Sequence, residues 1–178
     1  PLIIIRPRTI LGKGRLGIFH ILFEWINENR NIYTIGDGSG GFQFLHANDL
    51  IDAYSLILEQ EKSGTFNVGA QEFSSLRDSL INLIDFAKST SKVKKLPVSL
   101  TIGVLKVLDK LSLSPLAPWH YLTYHKPFYF DIKRLVEIGW HPKYSNNKML
   151  EESFKWYLNN KESKINFESY SPHRSILK

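Results

Sequence analysis

Cysteine is absent from the 178 residues, which excludes disulfides and thiolate metal sites. Its absence is compatible with a reducing cytoplasm, the compartment expected here. Methionine occurs once, at Met149. No apolar run reaches the length of a membrane span; the longest candidate, Val98 to Leu116, is broken by Lys106, Asp109 and Lys110. The apolar start, Leu2 to Ile5, is too short for a signal-peptide core and is followed at once by Arg6 and Pro7, so no signal peptide is expected. The six histidines never approach a zinc spacing such as H-E-x-x-H, and no metal site is expected. No G-x-S-x-G elbow occurs, which argues against a serine hydrolase. A nucleic-acid groove wants a basic stripe interleaved with stacking rings. The net charge is +6, but its one tight cluster, Lys92, Lys94 and Lys95, has no aromatic residues among it. Nucleic acid is therefore not an expected partner.

What is present fits a globular α/β chain: 43% hydrophobic and 22% charged residues, with no internal repeat. Leu2 to Ile5 reads as a buried strand that ends at Pro7. Ile18, Ile21, Leu22, Trp25 and Ile26 recur at helical spacing. Asn31 to Ile35 is a short apolar run. Phe42, Phe44 and His46 alternate with Gln43 and Leu45, and Asp49 is placed to cap a helix whose inner face is Leu50, Ala53, Tyr54, Ile57 and Leu58. Thr65 to Val68 reads as a strand. Ser75 with Asp78 forms a capping box for a helix to about Ser89. Val93 to Leu96 is a brief strand, and Pro97 suits the first turn of a helix to about Leu113. A short helix over Trp119 to His125, a strand-like Phe128 to Phe130, and a short helix capped by Asp131 and ending at Gly139 follow. The last helix starts at Ser145 with Met149, Leu150, Phe154 and Tyr157 inside. The domain is expected over residues 1–160, with 161–178 a loosely held polar tail.

Two stretches spell G-x-G-x-x-G. Gly36, Gly38 and Gly41 open a strand rather than a helix, so they predict a hairpin turn and not a dinucleotide site. Gly12, Gly14 and Gly17 do stand between a strand and a helix, and Asp37 lies about 20 residues on, where a ribose-binding acid belongs. Yet Arg6 to Thr9 separate these glycines from the strand, and no βαβ series follows. The turn is expected to be a loop admitting the helix, with pyrophosphate binding as its rival. Tyr144 and Lys148 spell Y-x-x-x-K, a pair that serves acid–base chemistry elsewhere; here it sits at a helix entrance near the C-terminus and is read as coincidence.

The order of these features carries more than any one of them. Arg6-Pro7-Arg8-Thr9-Ile10-Leu11-Gly12, then Gly36-Asp37-Gly38, Phe44-Leu45-His46 with Asp49-Leu50 and Ala53, Phe66-Asn67-Val68-Gly69 with Ser75-Leu76-Arg77, then Phe130-Asp131 and Gly139-Trp140-His141-Pro142 form one collinear series. It resembles the C-terminal half of the extended short-chain dehydrogenase/reductases, the NAD-dependent epimerase/dehydratase family, from Leu2 to about Asn159. The resemblance implies the C-terminal part of a Rossmann-like α/β fold, mostly helices with short strands. It implies NAD or NADP as cofactor, bound mainly by a preceding half that also holds the glycine-rich loop and the catalytic Tyr/Lys pair. No catalytic residue is then expected in this chain, which alone would be inactive. By the likeness, Pro7 and Arg8 line the cofactor side and Thr9 the substrate side, where many members carry asparagine.

Two departures bear on the substrate, for which the resemblance suggests a nucleotide-sugar. Phe42, followed by Gln43, stands where sugar-nucleotide members often carry an arginine. Lys126-Pro127 stands where another arginine is common. Phe and Pro cannot replace a bidentate phosphate fork, although Lys126 offers a point charge. Phe42, Gln43 and Lys126 are thus candidate substrate contacts. A less polar alcohol or ketone, sterol- or flavonoid-like, is the alternative substrate, and a non-catalytic binding module the alternative role. The apolar opening strand leads us to expect a piece of a longer protein that associates or is marginally stable alone; a homodimer is expected of the whole.

Overall fold

The computed structural model describes residues 2–114 and 118–161. The expected tail lies outside them from residue 162 onward. Along the chain run β1 (Ile3–Pro7), β2 (Thr9–Leu11), α1 (Phe19–Asn27), β3 (Ile32–Ile35), β4 (Phe44–His46), α2 (Ala47–Glu59), β5 (Gly64–Val68), α3 (Leu76–Phe86), β6 (Val93–Leu96), α4 (Val98–Lys110), α5 (Pro118–Thr123), α6 (Lys133–Glu137) and α7 (Asn146–Asn160).

The strands pair two by two, always in parallel: β1 with β5, β2 with β4, β3 with β6. Each pairing needs a crossover, and α1, α2 and α3 supply it, as parallel strands require. This overturns the hairpin expected at Gly36 to Gly41, because β3 and β4 belong to different pairs. Alternating hydrophobicity marks a strand without saying which strand it joins. The glycines still serve a turn: Gly36 and Gly38 have φ of 75° and 69°, a region that disfavours other residues. Gly36 N–H donates to Leu96 O (2.9 Å) and Arg77 N–H to Gly38 O (3.0 Å), fastening the turn to β6 and α3.

The pleat of β4 divides the core. Successive strand residues point to opposite faces, so Phe44 joins a cluster with Phe19, Phe23, Leu80, Met149 and Phe154, while Leu45 joins Ala53, Ile57, Phe66, Leu135 and Trp140. Phe19, Phe23 and Ile26 bury one face of α1. The capping box is present: Ser75 Oγ accepts from Asp78 N–H (3.0 Å) and donates to Asp78 Oδ2 (2.7 Å). Ser145 caps α7 with its Oγ alone, which accepts from Lys148 N–H (3.3 Å).

Three further expectations are corrected. The cap of α2 is His46, whose Nδ1 accepts from Asn48 N–H (3.2 Å), and not Asp49. Tyr54 and Leu58 are exposed, because the buried face of this helix, capped three residues earlier than expected, runs through Asp49, Ala53 and Ile57. Phe128 to Phe130 is no strand but a loop with one parallel bridge, Phe128 to Phe42.

Candidate functional site

In parallel α/β sheets, ligands gather beyond the carboxyl ends of the strands. Here that place is the Pro7–Arg8 step. Pro7 ends β1 opposite Val68 and is exposed. Arg8 follows, its N–H donating to Val68 O (2.9 Å), with only 6% of its surface exposed. Its guanidinium lies 3.4 Å from the Phe128 ring centroid and 4.6 Å from that of Phe130, and Nη2 donates to Phe128 O (3.1 Å). No carboxylate pairs with it among the described residues. Burial accordingly pulls its pKa from 12.5 down to about 10, and it remains charged at neutral pH. Its Nε is buried without a hydrogen-bond partner, the kind of orphan that calls for explanation.

The loop that Arg8 holds is held from the other side by Gln43. Gln43 is wholly buried; its N–H donates to Phe128 O (3.1 Å), its Oε1 accepts from Phe130 N–H (2.9 Å), and its Nε2 donates to Ala70 O (2.7 Å). Gly69 lies against this amide so closely that a Cβ there would overlap it. Phe42 is also buried, its ring 5.5 Å from Phe128 and edge-on to Tyr124 at 5.3 Å. Asn146, at the start of α7, receives Phe44 N–H on its Oδ1 (3.0 Å) and donates to Phe42 O, fixing the backbone on both sides of Gln43. Arg8, Phe42 and Gln43 therefore converge on Phe128. Thr9 is half-buried on β2 beside Phe44, and Lys126 is exposed two residues before Phe128. Reading the sequence missed Phe128, Phe130, Tyr124 and Asn146. The alternation of Phe128, Tyr129 and Phe130 was the one signal available.

Next to this cluster opens an apolar cavity of about 230 Å³ between α1, β3 and α4. Ile18, Leu22, Trp25, Ile35, Leu105 and Tyr124 are among its walls. Polar groups along it are few, and burial pushes the Tyr124 hydroxyl well above its usual range, so it is a neutral phenol.

The remaining motifs settle into structural roles. Gly12 and Arg15 bond each other's backbone (3.3 and 3.0 Å), so the second glycine turn closes on itself ahead of α1. Those N–H groups are spent within the turn, which argues against a phosphate cradle there. Lys148 lies over the face of Tyr144, 4.6 Å from its centroid, and the other face of that ring stacks on His46 at 3.7 Å. Asp49 is buried and accepts Lys143 N–H (2.9 Å) and Tyr144 N–H (3.2 Å), while Trp140 Nε1 donates to its backbone oxygen (3.1 Å). Burial raises the Asp49 carboxyl above its usual range and lowers His46 below its own.

Comparison with known proteins gives this geometry a context. Residues 1–69 match the NAD dependent epimerase/dehydratase family. Over 161 residues the chain is 39% identical to the uncharacterized protein y4nG of Sinorhizobium fredii, covering 90% of this chain and 41% of that protein. Its fold matches dTDP-glucose 4,6-dehydratase from Bacillus anthracis in complex with NAD, at TM-score 0.66 and 17% identity over 91% of this chain and 46% of that one. It matches UDP-glucuronic acid 4-epimerase from Bacillus cereus in complex with NAD equally, at TM-score 0.66 and 18% identity over 94% and 47%. An RMD structure from Pseudomonas aeruginosa, complexed with NADPH, matches at TM-score 0.60 and 17% identity, over 88% of this chain and 48% of that one. The chain thus spans less than half the length of each of these relatives. Residues 1–69 thus carry the likeness to the NAD-dependent epimerase/dehydratase family, and the α/β fold of the chain is one it shares with these epimerase and dehydratase structures over less than half of their length.

Proposed function

We propose that this chain is the substrate-facing portion of an NAD(P)-dependent epimerase/dehydratase-like oxidoreductase acting on a nucleotide-sugar, with the glycine-rich cofactor loop and the Tyr/Lys pair on a preceding segment. The observation that carries this reading is Arg8: a buried cation with one unpartnered donor, at the carboxyl end of the first strand. One ligand acceptor reaching Nε satisfies the donor that the folded chain leaves open. Pro7 and Arg8 would edge the cofactor, whose nicotinamide supplies the hydride acceptor and donor when bound. Thr9 offers a hydroxyl to the substrate. Phe42 and Gln43 act from beneath, by holding the 128–130 loop, and Lys126 presents a point charge at its rim.

One observation favours a second reading. The cavity beside Tyr124 is apolar, and Phe42 puts a ring where a phosphate-binding fork would help. A sterol- or flavonoid-like alcohol or ketone suits it. The test is to express the coding sequence upstream of Pro1 together with this chain. Nicotinamide cofactor retention and turnover are then assayed with nucleotide-sugars and with hydroxysteroids. Turnover of a nucleotide-sugar, reduced at least ten-fold by Thr9→Val, supports the first reading. Turnover of the steroid alone supports the second. A parent protein lacking both the glycine-rich loop and Y-x-x-x-K, and binding no dinucleotide, refutes both.

A further inference from the structure

Helix caps are ordinarily side-chain oxygens that accept an N–H and carry no positive charge. Helices α3 and α7 follow that rule with Ser75 and Ser145, whereas the cap of α2 is an imidazole. His46 Nδ1 accepts from Asn48 N–H (3.2 Å), so the ring's own proton stands on Nε2, and a second proton must go to Nδ1. That proton turns the acceptor into a donor aimed at another donor. It also sets a cation at the positive end of the helix. This cap therefore exists only while His46 is neutral.

The ring ties other segments to that helix start. His46 is buried and pairs with Leu11 at the end of β2. Its Nε2 edge lies against Gly12, where an added Cβ would meet Nε2 at 3.6 Å. Gly12 opens the turn that closes on itself through Arg15 ahead of α1. One face of the ring stacks on Tyr144 at 3.7 Å, and Lys148 covers the far side of Tyr144. The charged groups around His46 come from every side: Lys13 from the turn, Lys148 and Glu152 from α7, and Asp49 from α2. The two acids favour a proton on the ring and the two lysines oppose it, but burial, the largest influence, opposes it as well. Asp49 spends its carboxylate oxygens on Lys143 N–H and Tyr144 N–H, in the loop that carries the stacking ring.

We infer that His46 is an acid-released latch: neutral, it clamps the first turn of α2, the Gly12–Arg15 turn and the Tyr144 segment together, and protonation at Nδ1 frees them while the core stays folded. The Gly12–Arg15 turn leads from the strand of Thr9 to α1, a wall of the apolar cavity, so the latch joins two sides of the candidate site. The inference holds whichever ligand that site takes.

Amide hydrogen exchange of the full chain at pH 7 and pH 5.5, expressed as protection relative to the intrinsic rate, reads the latch. A ring that titrates at 6.5 when open and stays neutral when closed loses up to about eight-fold in protection over that interval. The loss is expected at Asn48 and, in step with it, at the Gly12 and Arg15 amides. Asp78, whose cap Ser75 does not titrate, is expected to keep its protection. His46→Asn, which accepts at the cap without titrating, should make Asn48 equally protected at both pH values. The imidazole nitrogen shifts at pH 7 should report the Nε2–H tautomer. The inference is overturned by an Nδ1–H tautomer, by Asn48 protection that does not change in the wild-type chain, or by a change there that Gly12 and Arg15 do not share. An equal loss at Asp78 also overturns it, because the whole chain is then opening. Should the asparagine variant fail to fold, the wild-type exchange and the tautomer still decide.

Discussion

Arg8 provides a test in which charge conservation and stability part company. Lowering its pKa from 12.5 to about 10 corresponds to roughly 3 kcal/mol against the charged form. Opposing that are the stacking of the guanidinium on Phe128 and Phe130, about 2 kcal/mol when desolvated, and a charged hydrogen bond to Phe128 O, roughly 2 kcal/mol. The terms nearly cancel. Methionine keeps the aliphatic stem, fits between two rings, and gains sulfur–aromatic contact of about 1 kcal/mol. Phe128 O does not become an orphan, because Gln43 N–H still donates to it. Arg8→Met is therefore expected to leave the chain within about 1 kcal/mol of wild type, a Tm shift of roughly 2–4 °C. Arg8→Lys keeps the charge but concentrates it on a strongly hydrated ammonium that cannot lie flat on two rings. It is expected to lose about 2 kcal/mol or more. Urea denaturation of the three proteins, with the slope held common, reads the order directly. If the lysine variant is the more stable, or the methionine variant loses more than about 3 kcal/mol, the burial argument for Arg8 fails. In the parent protein Arg8→Met should nonetheless weaken ligand binding, which separates a binding role from a folding one.

Asp49→Ala strips the acceptors from Lys143 N–H and Tyr144 N–H and should cost about 3 kcal/mol by chemical denaturation, whereas Asp49→Asn, which keeps one acceptor, should cost about half. Gly69→Ala forces a methyl into the Gln43 amide; a loss of about 2–3 kcal/mol is expected, and hydrogen exchange should show the Phe130 amide losing its protection. His46 titrates below its ordinary 6.5 because burial opposes the charged ring. Below pH 6.5 the unfolded chain therefore takes up this proton before the folded one does, and stability falls with acid. Asp49, raised by burial, acts in the opposite sense, gaining stability as pH falls toward its unfolded value of 3.8. His46→Gln should flatten the fall in Tm between pH 7 and 5.5, while Asp49→Asn should not. Finally, among the described residues β1 pairs only with β5, and Leu2 and Ile4 are 72% and 42% exposed, so the isolated chain should self-associate in sedimentation velocity; a dilute monomer with a sharp melt would contradict this.

Most elements were legible because their signals are local. Ser75 with Asp78, Ser145, and Met149 to Tyr157 announce caps and faces through neighbours three and four residues away. The pairing of strands was not legible, since nothing within Ile32 to Ile35 states that its partner is Val93 to Leu96, some 60 residues on. The hairpin expected at the glycine turn failed for that reason. Asp49 failed differently. Its composition suits a cap, yet its partners, Lys143 and Tyr144, are distant in sequence, and distant backbone donors leave no local trace.

The candidate site shows the same division in a sharper form. Pro7, Arg8 and Thr9 could be placed at a strand's carboxyl end because the strand and its proline stop are written consecutively. Phe42 and Gln43 were assigned to the ligand from what stands at those places in similar sequences, while the fold gives both a prior task, holding the Phe128 to Phe130 loop. Those tasks need not exclude each other. A residue that fixes a loop decides where the loop's exposed groups meet a ligand, so substitution at Gln43 should change affinity through the loop's position. That separates it from Thr9, whose half-buried hydroxyl has no loop to carry its effect. If Gln43→Ala loosens the loop by hydrogen exchange and leaves ligand affinity unchanged, the loop is not part of the site, and the reading of this face as substrate-facing fails with it.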